Sequence, residues 1–512
     1  MKKDAVKRNG RKADLEEAEE RQRKKEVEKL LRQNQRKKQN EVIKNSVRNR
    51  EFAVVTYLFL GIFLGMIAYF AYFQVEKSEA FINSPYNARQ DAFADRIRRG
   101  DIVSAQGDVL ATTKTASDGT ESRSYPYGRM FAHVVGFATN GKSGIESLDN
   151  FQLLRSHAFF TEKIWNELQG KKNIGDTVVT TLDVDVQKAA YDALGSNRGA
   201  VIAMQPSTGK ILAMVSGPDF DPNTIASDWD SITTESEHSS VLLNRVTQGL
   251  YPPGSTFKIF TLLEYMKENK NYKSYGYQCS GNLSEDGNVI HCFGNAVHGQ
   301  EDLQTAFAHS CNTSFSDIGL SLNLNKFHAT NEKLLFNQEL PCDLPYKKSS
   351  YTLTEDASVW DIVQTSIGQG KTLVTPYHMA LVMSAINNGG VLMKPYLIDK
   401  VTNYEGTEVS ANAPQAYAQL LTAKKAKTLR QYLREVVTRG TATALNGQSY
   451  TAAGKTGSAE FTSAKDSHAW FVGYASKDGS KDLVVSVVIE GAGTGGAYAV
   501  PVAKAVFDAY FS

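Results

Sequence analysis

The stretch that decides the fold is "YPPGSTFK", residues 251–258. Its Pro-Pro-Gly run ends the preceding element, and the apolar spacing of "IFTLLEYMKEN" after it is typical of a helix. Ser255 is therefore predicted to lie in the first turn of that helix. Because residues three apart share a helix face, the Ser255 hydroxyl and the Lys258 amine should point the same way. The pair is either a weak cap beside a surface lysine or a nucleophile beside its base.

Two later motifs supply the other groups that a serine nucleophile needs. They are Ser310-Cys311-Asn312 in "AHSCNTSF" and Lys455-Thr456-Gly457, followed by Ser458, in "AAGKTGSAE". An S-x-x-K, an S-x-N and a K-T-G in this order are the signature of penicillin-binding proteins and serine β-lactamases. A second S-x-x-K, Ser207 with Lys210, lies in a predicted hairpin turn. It lacks the helix N-terminus that favours developing negative charge at Ser255.

The N-terminal part of the chain differs sharply from the rest. Residues 1–51 contain 18 Lys and Arg against 10 Asp and Glu, so the net charge of +2 leaves −6 for the remainder. We interpret them as a solvated, partly disordered tail, and not as a nucleic-acid arm, because no aromatic residues interleave the charges. Residues 52–73, "FAVVTYLFLGIFLGMIAYFAYF", carry no charge and can span a membrane as a helix. The basic excess before them predicts a cytoplasmic N-terminus and an exterior remainder.

The exterior part is predicted to contain two domains. Residues 74–175 show short strands broken by Gly and Asp turns, with a helix near 146–155, and are predicted to form a membrane-proximal pedestal. Residues 176–512 begin and end with strands around a long helical middle. This pattern predicts an α/β (α+β) domain whose sheet is flanked by helices and takes its strands from both ends of the domain.

The four cysteines, Cys279, Cys292, Cys311 and Cys342, leave their redox state open. Cys279 and Cys292 are close in sequence around a polar loop, and either one local disulfide or free thiols fits the pattern. No C-x-x-C and no familiar Cys/His spacing is present, so we expect no metal and no cofactor.

The chain resembles the class B penicillin-binding proteins, the monofunctional transpeptidases of cell division and elongation. The resemblance rests on "RGDIVSAQGDVLA", "LNRVTQGLYPPGSTFK", "TSIGQGKTLVTPYHMA", "KTGSAE" and "HAWFVGY", and it covers nearly everything after residue 73. It implies a serine penicillin-recognising fold, peptidoglycan stem peptides on a lipid-linked precursor as substrate, and acylation by β-lactams. A polytopic glycosyltransferase of the shape, elongation, division and sporulation family is the implied protein partner.

The chemistry predicts a role for each motif residue. Ser255 attacks the penultimate D-Ala carbonyl, Lys258 is the base, and Ser310 relays a proton between the lysines and the leaving amine. Asn312 holds Lys258 or the acyl group, and Lys455 supplies the charge that lowers the pKa of Lys258. By resemblance, the backbone N–H groups of Ser255 and Ser458 form the oxyanion hole, and the hydroxyls of Thr456 and Ser458, beside Gly457, bind the terminal carboxylate.

Several readings remain open beside the transpeptidase. A membrane-anchored β-lactamase would hydrolyse its acyl-enzyme quickly, and a D-Ala carboxypeptidase would use water as acceptor. A non-catalytic scaffold that activates the glycosyltransferase is an alternative of another class. Four nearby residues are expected to have packing or hydrogen-bonding roles: His309, His468, Trp470 and Phe471. Cys311 is not favoured as the nucleophile, because nothing near it marks a thiolate.

Overall fold

A computed structural model describes residues 3–77, 96–234, 240–460 and 467–512. The chain divides into two units, residues 1–82 and residues 83–512. In the first unit, helix α1 (Lys3–Tyr72) runs into a short π-helical segment (Phe73–Lys77). Its apolar part has the length and hydropathy needed to cross a membrane.

The basic tail is helical along its described length, where the sequence predicted a partly disordered segment. Its charged residues stand four apart, so that Lys24 reaches Glu20 at 2.9 Å and Arg32 reaches Glu28 at 3.4 Å. Pairs of this kind each stabilise a helix by about 0.2–0.5 kcal/mol. The expectation of partial disorder considered the composition of the tail and not this charge spacing.

The second unit is built from nineteen described strands and fourteen described helices. The strands are β1 (Ile97–Arg98), β2 (Ile102–Val103), β3 (Val109–Thr115), β4 (Glu121–Ser124), β5 (Asn173–Ile174), β6 (Thr177–Thr180), β7 (Gly199–Met204), β8 (Ile211–Gly217), β9 (Gly276–Cys279), β10 (Asn282–Glu285), β11 (Asn288–His291), β12 (Gly299–Asp302), β13 (Val391–Met393), β14 (Ile398–Thr402), β15 (Glu408–Ala411), β16 (Ala416–Gln419), β17 (Thr451–Glu460), β18 (Ser467–Ser476) and β19 (Leu483–Ile489). The helices are α2 (Ala132–Val135), α3 (Gly144–Leu148), α4 (Asn150–Leu153), α5 (Phe160–Leu168), α6 (Val184–Leu194), α7 (Ile225–Thr234), α8 (Lys258–Glu268), α9 (Leu303–Ala308), α10 (Asn312–Ser321), α11 (Leu324–Lys333), α12 (Val359–Ser366), α13 (Pro376–Asn387), α14 (Ala423–Thr438) and α15 (Gly495–Phe511).

A five-stranded sheet with the order β17-β18-β19-β7-β8 forms the centre of this unit. All its pairings are antiparallel, and the register sets Lys455 opposite Val472 and Val487 opposite Val201. Strands β7, β8 and β19 are buried along their whole length. Such continuous apolar strands need cover on both faces. The sheet takes two strands from the start and three from the end of the predicted domain, as the sequence indicated.

Two groups of helices cover this sheet. The C-terminal helix α15 packs on β17, β18 and β19 and also on α6, while α13 packs on β18, β19 and β7 and also on α14. Their starts follow from local sequence: Asp183 caps α6, Thr375 caps α13 with a proline next to it, and Thr494 caps α15. Each side chain accepts a backbone N–H that the helix cannot satisfy.

A second sheet has the order β15-β14-β6-β2-β3-β4. Its strands β14 and β15 come from residues 398–411, so it draws on both sides of the predicted boundary at residue 175; that boundary stays a prediction. Beside it, the buried Glu146 carboxylate accepts hydrogen bonds from Arg99 at 2.6 Å and Arg123 at 2.7 Å. The two guanidinium charges hold the pKa of Glu146 below its ordinary value, although burial acts to raise it.

Candidate active site

The predicted nucleophile lies at the start of a helix, as the sequence indicated. Residues Gly254–Phe257 form one 3₁₀ turn that leads directly into α8. Gly254 has φ +53°, and a Cβ on it would stand 2.9 Å from the carbonyl oxygen of Ser458. Only glycine combines this backbone conformation with this contact. Gly254 thus lets the backbone before Ser255 touch the end of the K-T-G strand.

The segment before Ser255 is fixed by a partly buried charge network. Glu490, at the end of β19, accepts hydrogen bonds from Arg245 at 2.8 Å, from Arg198 at 2.9 Å and from the Tyr251 hydroxyl at 2.8 Å. The indole N–H of Trp470 donates to the carbonyl oxygen of Pro252 at 3.0 Å. Tyr251 and Pro252 are therefore attached to the central sheet, through Glu490 after β19 and through Trp470 on β18. These two attachments hold Ser255 in place.

The S-x-N motif forms the turn between α9 and α10. Ser310 has φ +58°, a left-handed conformation that costs a non-glycine residue about 1–2 kcal/mol. Cys311 follows as the N-cap of α10, with Asn312 as the first helical residue. The turn directs both the carbonyl oxygen and the hydroxyl of Ser310 toward Lys258. Strained backbone of this kind is typical of residues at functional sites.

Two buried lysines converge on Ser310. Lys258 Nζ donates to the Ser310 carbonyl oxygen at 2.7 Å and to Asn312 Oδ1 at 2.7 Å, and it lies 3.3 Å from Ser310 Oγ. Lys455 Nζ donates to Ser310 Oγ at 2.8 Å and to the Thr456 carbonyl oxygen at 3.0 Å. The structure therefore brings all three predicted motifs into one hydrogen-bonded cluster.

Burial changes the protonation of both lysines. Desolvation lowers the pKa of Lys258 to about 8, and desolvation together with the Lys258 charge lowers the pKa of Lys455 well below its ordinary value. Burial is thus the cause that lowers the pKa of Lys258, and the expected effect of the Lys455 charge on it stays a prediction. A neutral amine is what a lysine base requires.

The motif residues open onto one cleft of about 1110 Å³. Its walls include Ser255, Ser310, Asn312, Thr456 and Gly457–Ser458, whereas Lys258 and Lys455 are fully buried. Within the described ranges, no Asp or Glu side chain lines this cleft. The cleft therefore presents hydroxyls, amides and the imidazoles of His291, His298 and His309 to a substrate, with the two amines buried beside them.

Further lining residues were missed by the sequence reasoning. Thr441 shares a hydrogen bond with Thr456, which fixes the Thr456 hydroxyl. Trp360 and Gln364 of α12 and the first residues of α15 complete the walls. The motif search could not find them, because they come from three distant segments without a shared spacing.

The four accessory residues have the structural roles that were expected. His309 Nδ1 lies 2.8 Å from the buried Glu301 carboxylate, and the Gly491 N–H donates to His468 Nδ1 at 3.2 Å. Trp470 and Phe471 are fully buried in β18.

All four cysteines are free thiols in this structure. Three of them, Cys279, Cys292 and Cys311, gather with His298 so that their potential ligand atoms lie within 4.8 Å of one another. This grouping was not predicted, because the four residues follow no familiar ligand spacing. Among the described residues, these four side chains form the group that could hold a metal ion. The group adjoins the S-x-N turn.

Comparison with known proteins agrees with the site. Residues 199–508 match the penicillin binding protein transpeptidase domain, and residues 99–178 match the penicillin binding protein A dimerisation domain. The chain is 32% identical over 444 residues to peptidoglycan D,D-transpeptidase PbpA of Mycolicibacterium smegmatis, an alignment that covers 80% of this chain and 89% of the relative. It is similar to penicillin-binding protein A of M. tuberculosis in its ceftriaxone acyl-enzyme complex, with a TM-score of 0.74 and 26% identity over 83% of this chain and 100% of that chain. A D,D-transpeptidase domain from Eggerthella lenta gives a TM-score of 0.72 and 32% identity over 81% of this chain and 99% of that chain.

The chain belongs to the penicillin-binding protein transpeptidase family. The predicted resemblance to the class B members, the predicted fold and the predicted class of serine acyl-transfer enzyme are confirmed.

Proposed function

We propose that the protein is a peptidoglycan D,D-transpeptidase in which Ser255 forms the acyl-enzyme. The observation that carries the proposal is the convergence of two buried lysines on Ser310 beside a cleft lined by Ser255. A nucleophile needs a base, and a base needs an environment that keeps it neutral. The cluster around Ser310 provides both.

Lys258 acts as the base for acylation. A neutral amine carries two protons, and Lys258 has two short acceptors for them, the Ser310 carbonyl oxygen and Asn312 Oδ1. Its lone pair is then free to accept the proton of the Ser255 hydroxyl. Ser255 bonds to the penultimate D-Ala carbonyl carbon, and the bond to the terminal D-Ala nitrogen breaks.

Ser310 returns a proton to the leaving amine. Its hydroxyl accepts a hydrogen bond from Lys455 at 2.8 Å and lies 3.3 Å from Lys258, so it links the two amines. The hydroxyls of Thr456 and Ser458 hydrogen-bond the terminal carboxylate. Its negative charge raises the pKa of Lys455, which burial and Lys258 lower in the free protein, so the bound substrate favours the charged form of Lys455. The backbone N–H groups of Ser255 and Ser458 stabilise the oxyanion, an effect worth about a hundred- to a thousand-fold in rate per donor.

The fate of the acyl-enzyme separates this proposal from the alternatives. A β-lactamase needs a base that activates water, supplied by a glutamate in class A enzymes. Among the described residues no carboxylate lines the cleft, which favours a long-lived acyl-enzyme. The amine of a second stem peptide then attacks the ester and completes the crosslink. The same residues would serve a carboxypeptidase, in which water is the acceptor.

The domains and location extend the proposal. Residues 1–51 form a cytoplasmic tail, 52–73 a single transmembrane helix, 74–175 a pedestal and 176–512 the catalytic domain outside the cytoplasmic membrane. The apolar part of α1 and the basic residues before it support this topology. A lipid-linked precursor supplies the stem peptides, and a polytopic glycosyltransferase in the same membrane makes the strands to be crosslinked.

The test is a crosslinking assay with the full-length protein and lipid-linked precursor, in the presence of a glycosyltransferase that polymerises it. Digestion and mass spectrometry of the product should show crosslinked dimers that disappear with Ser255→Ala and with penicillin. Product that has only lost terminal D-Ala would identify a carboxypeptidase. Unchanged stem peptides with a folded protein would favour the scaffold.

A further inference from the structure

Helix α5 (Phe160–Leu168) exposes its apolar side chains, and none of its residues is buried. Phe160, Ile164 and Leu168 stand four residues apart and therefore share one face of the helix, with Phe159 and Trp165 beside them. These five side chains, which we call the apolar face of α5, are 42–76% exposed. We propose that the apolar face of α5 docks on the surface of the lipid bilayer that α1 crosses.

The polar side chains of α5, in contrast, hold the helix to the protein. Three of them are half-buried and form hydrogen bonds to other segments, from the Tyr404 hydroxyl to Glu162 Oε2 at 2.6 Å, from Lys163 Nζ to the Ser156 carbonyl oxygen at 2.7 Å, and from Asn166 Nδ2 to Asn173 Oδ1 at 3.1 Å. A helix on the surface of a soluble protein normally turns its apolar stripe to the core and its polar side chains to water. Helix α5 has the reverse arrangement, and the described residues leave its apolar face open.

The place of α5 along the chain favours the bilayer as the partner of this face. Strand β5 follows α5 and pairs in parallel with β1, so that Asn173 lies opposite Ile97. Strand β1 is the first described strand after α1, and residues 78–95 alone separate the two described ranges. The covalent chain therefore ties β1, and with it β5 and α5, within about twenty residues of the anchor. The inference rests on the single-pass anchoring proposed above, which brings α5 within reach of lipid.

The composition of the apolar face suits the interface between water and lipid. Tryptophan is enriched at the level of the lipid headgroups, and Trp, Phe and Leu form the buried side of helices that lie in the membrane surface. Of the three charged residues of α5, only Glu167 is exposed, and the exposed Lys171 just after the helix balances its charge. A helix of this kind inserts its apolar side about 5–10 Å into the boundary between headgroups and acyl chains.

A second copy of the chain is the competing occupant, and the size of the face argues against it. A whole aromatic side chain presents about 150–250 Å², so at their exposures the five side chains offer roughly 600 Å². A standard protein–protein interface takes about 800 Å² from each partner. A bilayer contact needs no such area, because a chain that α1 already anchors meets lipid at a high effective concentration. Docking would fix the orientation of the membrane-proximal part relative to the membrane surface.

The test uses Trp165 as the probe, in full-length protein reconstituted into nanodiscs whose phospholipids carry bromine on the acyl chains. Bromine quenches tryptophan on contact, and residues 52–73 contain none of the four tryptophans, so the signal does not come from the anchor. We expect bromine near the headgroup to quench the fluorescence more than bromine at the chain end, because interfacial helices insert only about 5–10 Å. Trp165→Phe should remove most of the quenching. Trp360→Phe is the matched control, since Trp360 is 37% exposed but lies at the cleft, and it should keep the quenching.

A second pair of variants tests the face without removing the probe. Ile164→Ser combined with Leu168→Ser should abolish most of the quenching of Trp165, and the fold should be retained because neither side chain is buried. Val409→Ser removes an exposed apolar side chain from β15, away from α5, and should leave the quenching unchanged.

Two outcomes would overturn the proposal. One is equal quenching of the wild type and Trp165→Phe. The other is a Trp165 that bromine does not quench while protein covers the face, seen as chemical crosslinks from residues 159–168 either to a second copy or to residues 78–95 of the same chain. Penicillin labelling of Ser255 in the same nanodiscs is scored separately, so normal labelling with an unquenched Trp165 removes the docking and leaves the proposed function standing.

Discussion

The protonation of Lys258 gives a sharp prediction for the change Asn312→Asp. Asn312 Oδ1 lies 2.7 Å from Lys258 Nζ, so the substitution sets a carboxylate against the amine with almost no change of shape. It also removes the hydrogen bond from Asn312 Nδ2 to the His291 carbonyl oxygen, which Asn312→Ala removes as well. An opposite charge at such a distance raises a lysine pKa by about 1–3 units. The Lys258 pKa would then move up from about 8, and the base would stay protonated to higher pH.

The magnitude follows from the neutral fraction of the base. With a pKa of about 8, roughly 10% of Lys258 is neutral near pH 7, against roughly 0.03% for an ordinary lysine. Raising the pKa by about 1–3 units lowers that fraction about 10- to 1000-fold. The rate of acylation should fall in proportion near pH 7 and recover at higher pH.

The assay is the second-order rate of labelling by a fluorescent penicillin, measured from roughly pH 6 to pH 10. The wild-type rate should rise with pH through the lowered lysine pKa, and the rise should move to higher pH in Asn312→Asp. Asn312→Ala removes the acceptor without adding charge and is the control; it should slow labelling without an upward shift of the midpoint. A common midpoint for wild type and Asn312→Asp would refute Lys258 as the titrating base.

Three further changes test the fold, one in the membrane-proximal part and two at the site. Glu146→Gln leaves Arg99 and Arg123 as buried charges without a counter-ion and should cost about 3–5 kcal/mol of stability in denaturant unfolding; because the pKa of Glu146 is lowered, acid should destabilise the wild type in the same way as pH falls. Ser310→Gly and Ser310→Ala should both lose activity. The glycine variant should be more stable than the alanine variant by about 1 kcal/mol, because glycine adopts the left-handed conformation of this residue without strain. Equal stability of the two variants would mean that the turn is not strained. Gly254→Ala should slow penicillin labelling and lower the thermal midpoint, since its Cβ would meet Ser458; a wild-type rate would contradict the close approach.

The motifs were predictable because each has a local signature. The Pro-Pro-Gly run marked the helix start at Ser255, and the order of the three motifs along the chain led to the right class. The central sheet followed from strands at both ends of the domain. These features depend on neighbours in sequence, which a single chain shows directly.

What the sequence did not show depends on contacts between distant residues. The positive φ of Ser310 is unusual for serine, and no residue pattern announces it. The grouping of Cys279, Cys292, His298 and Cys311 could not be predicted from their spacing, because they meet only through the hairpin β10–β11 and the turn before α10. Strand β14 pairs with β6 across about two hundred residues, which short-range patterns cannot reveal.

The most direct test of the central claim is intact mass spectrometry of the protein with penicillin, followed over hours and combined with peptide mapping. The account predicts one stable adduct, mapped to Ser255, that is absent in Ser255→Ala and is not accompanied by rapid turnover of the antibiotic. An adduct on another residue, or rapid loss of the adduct with hydrolysed penicillin, would contradict it.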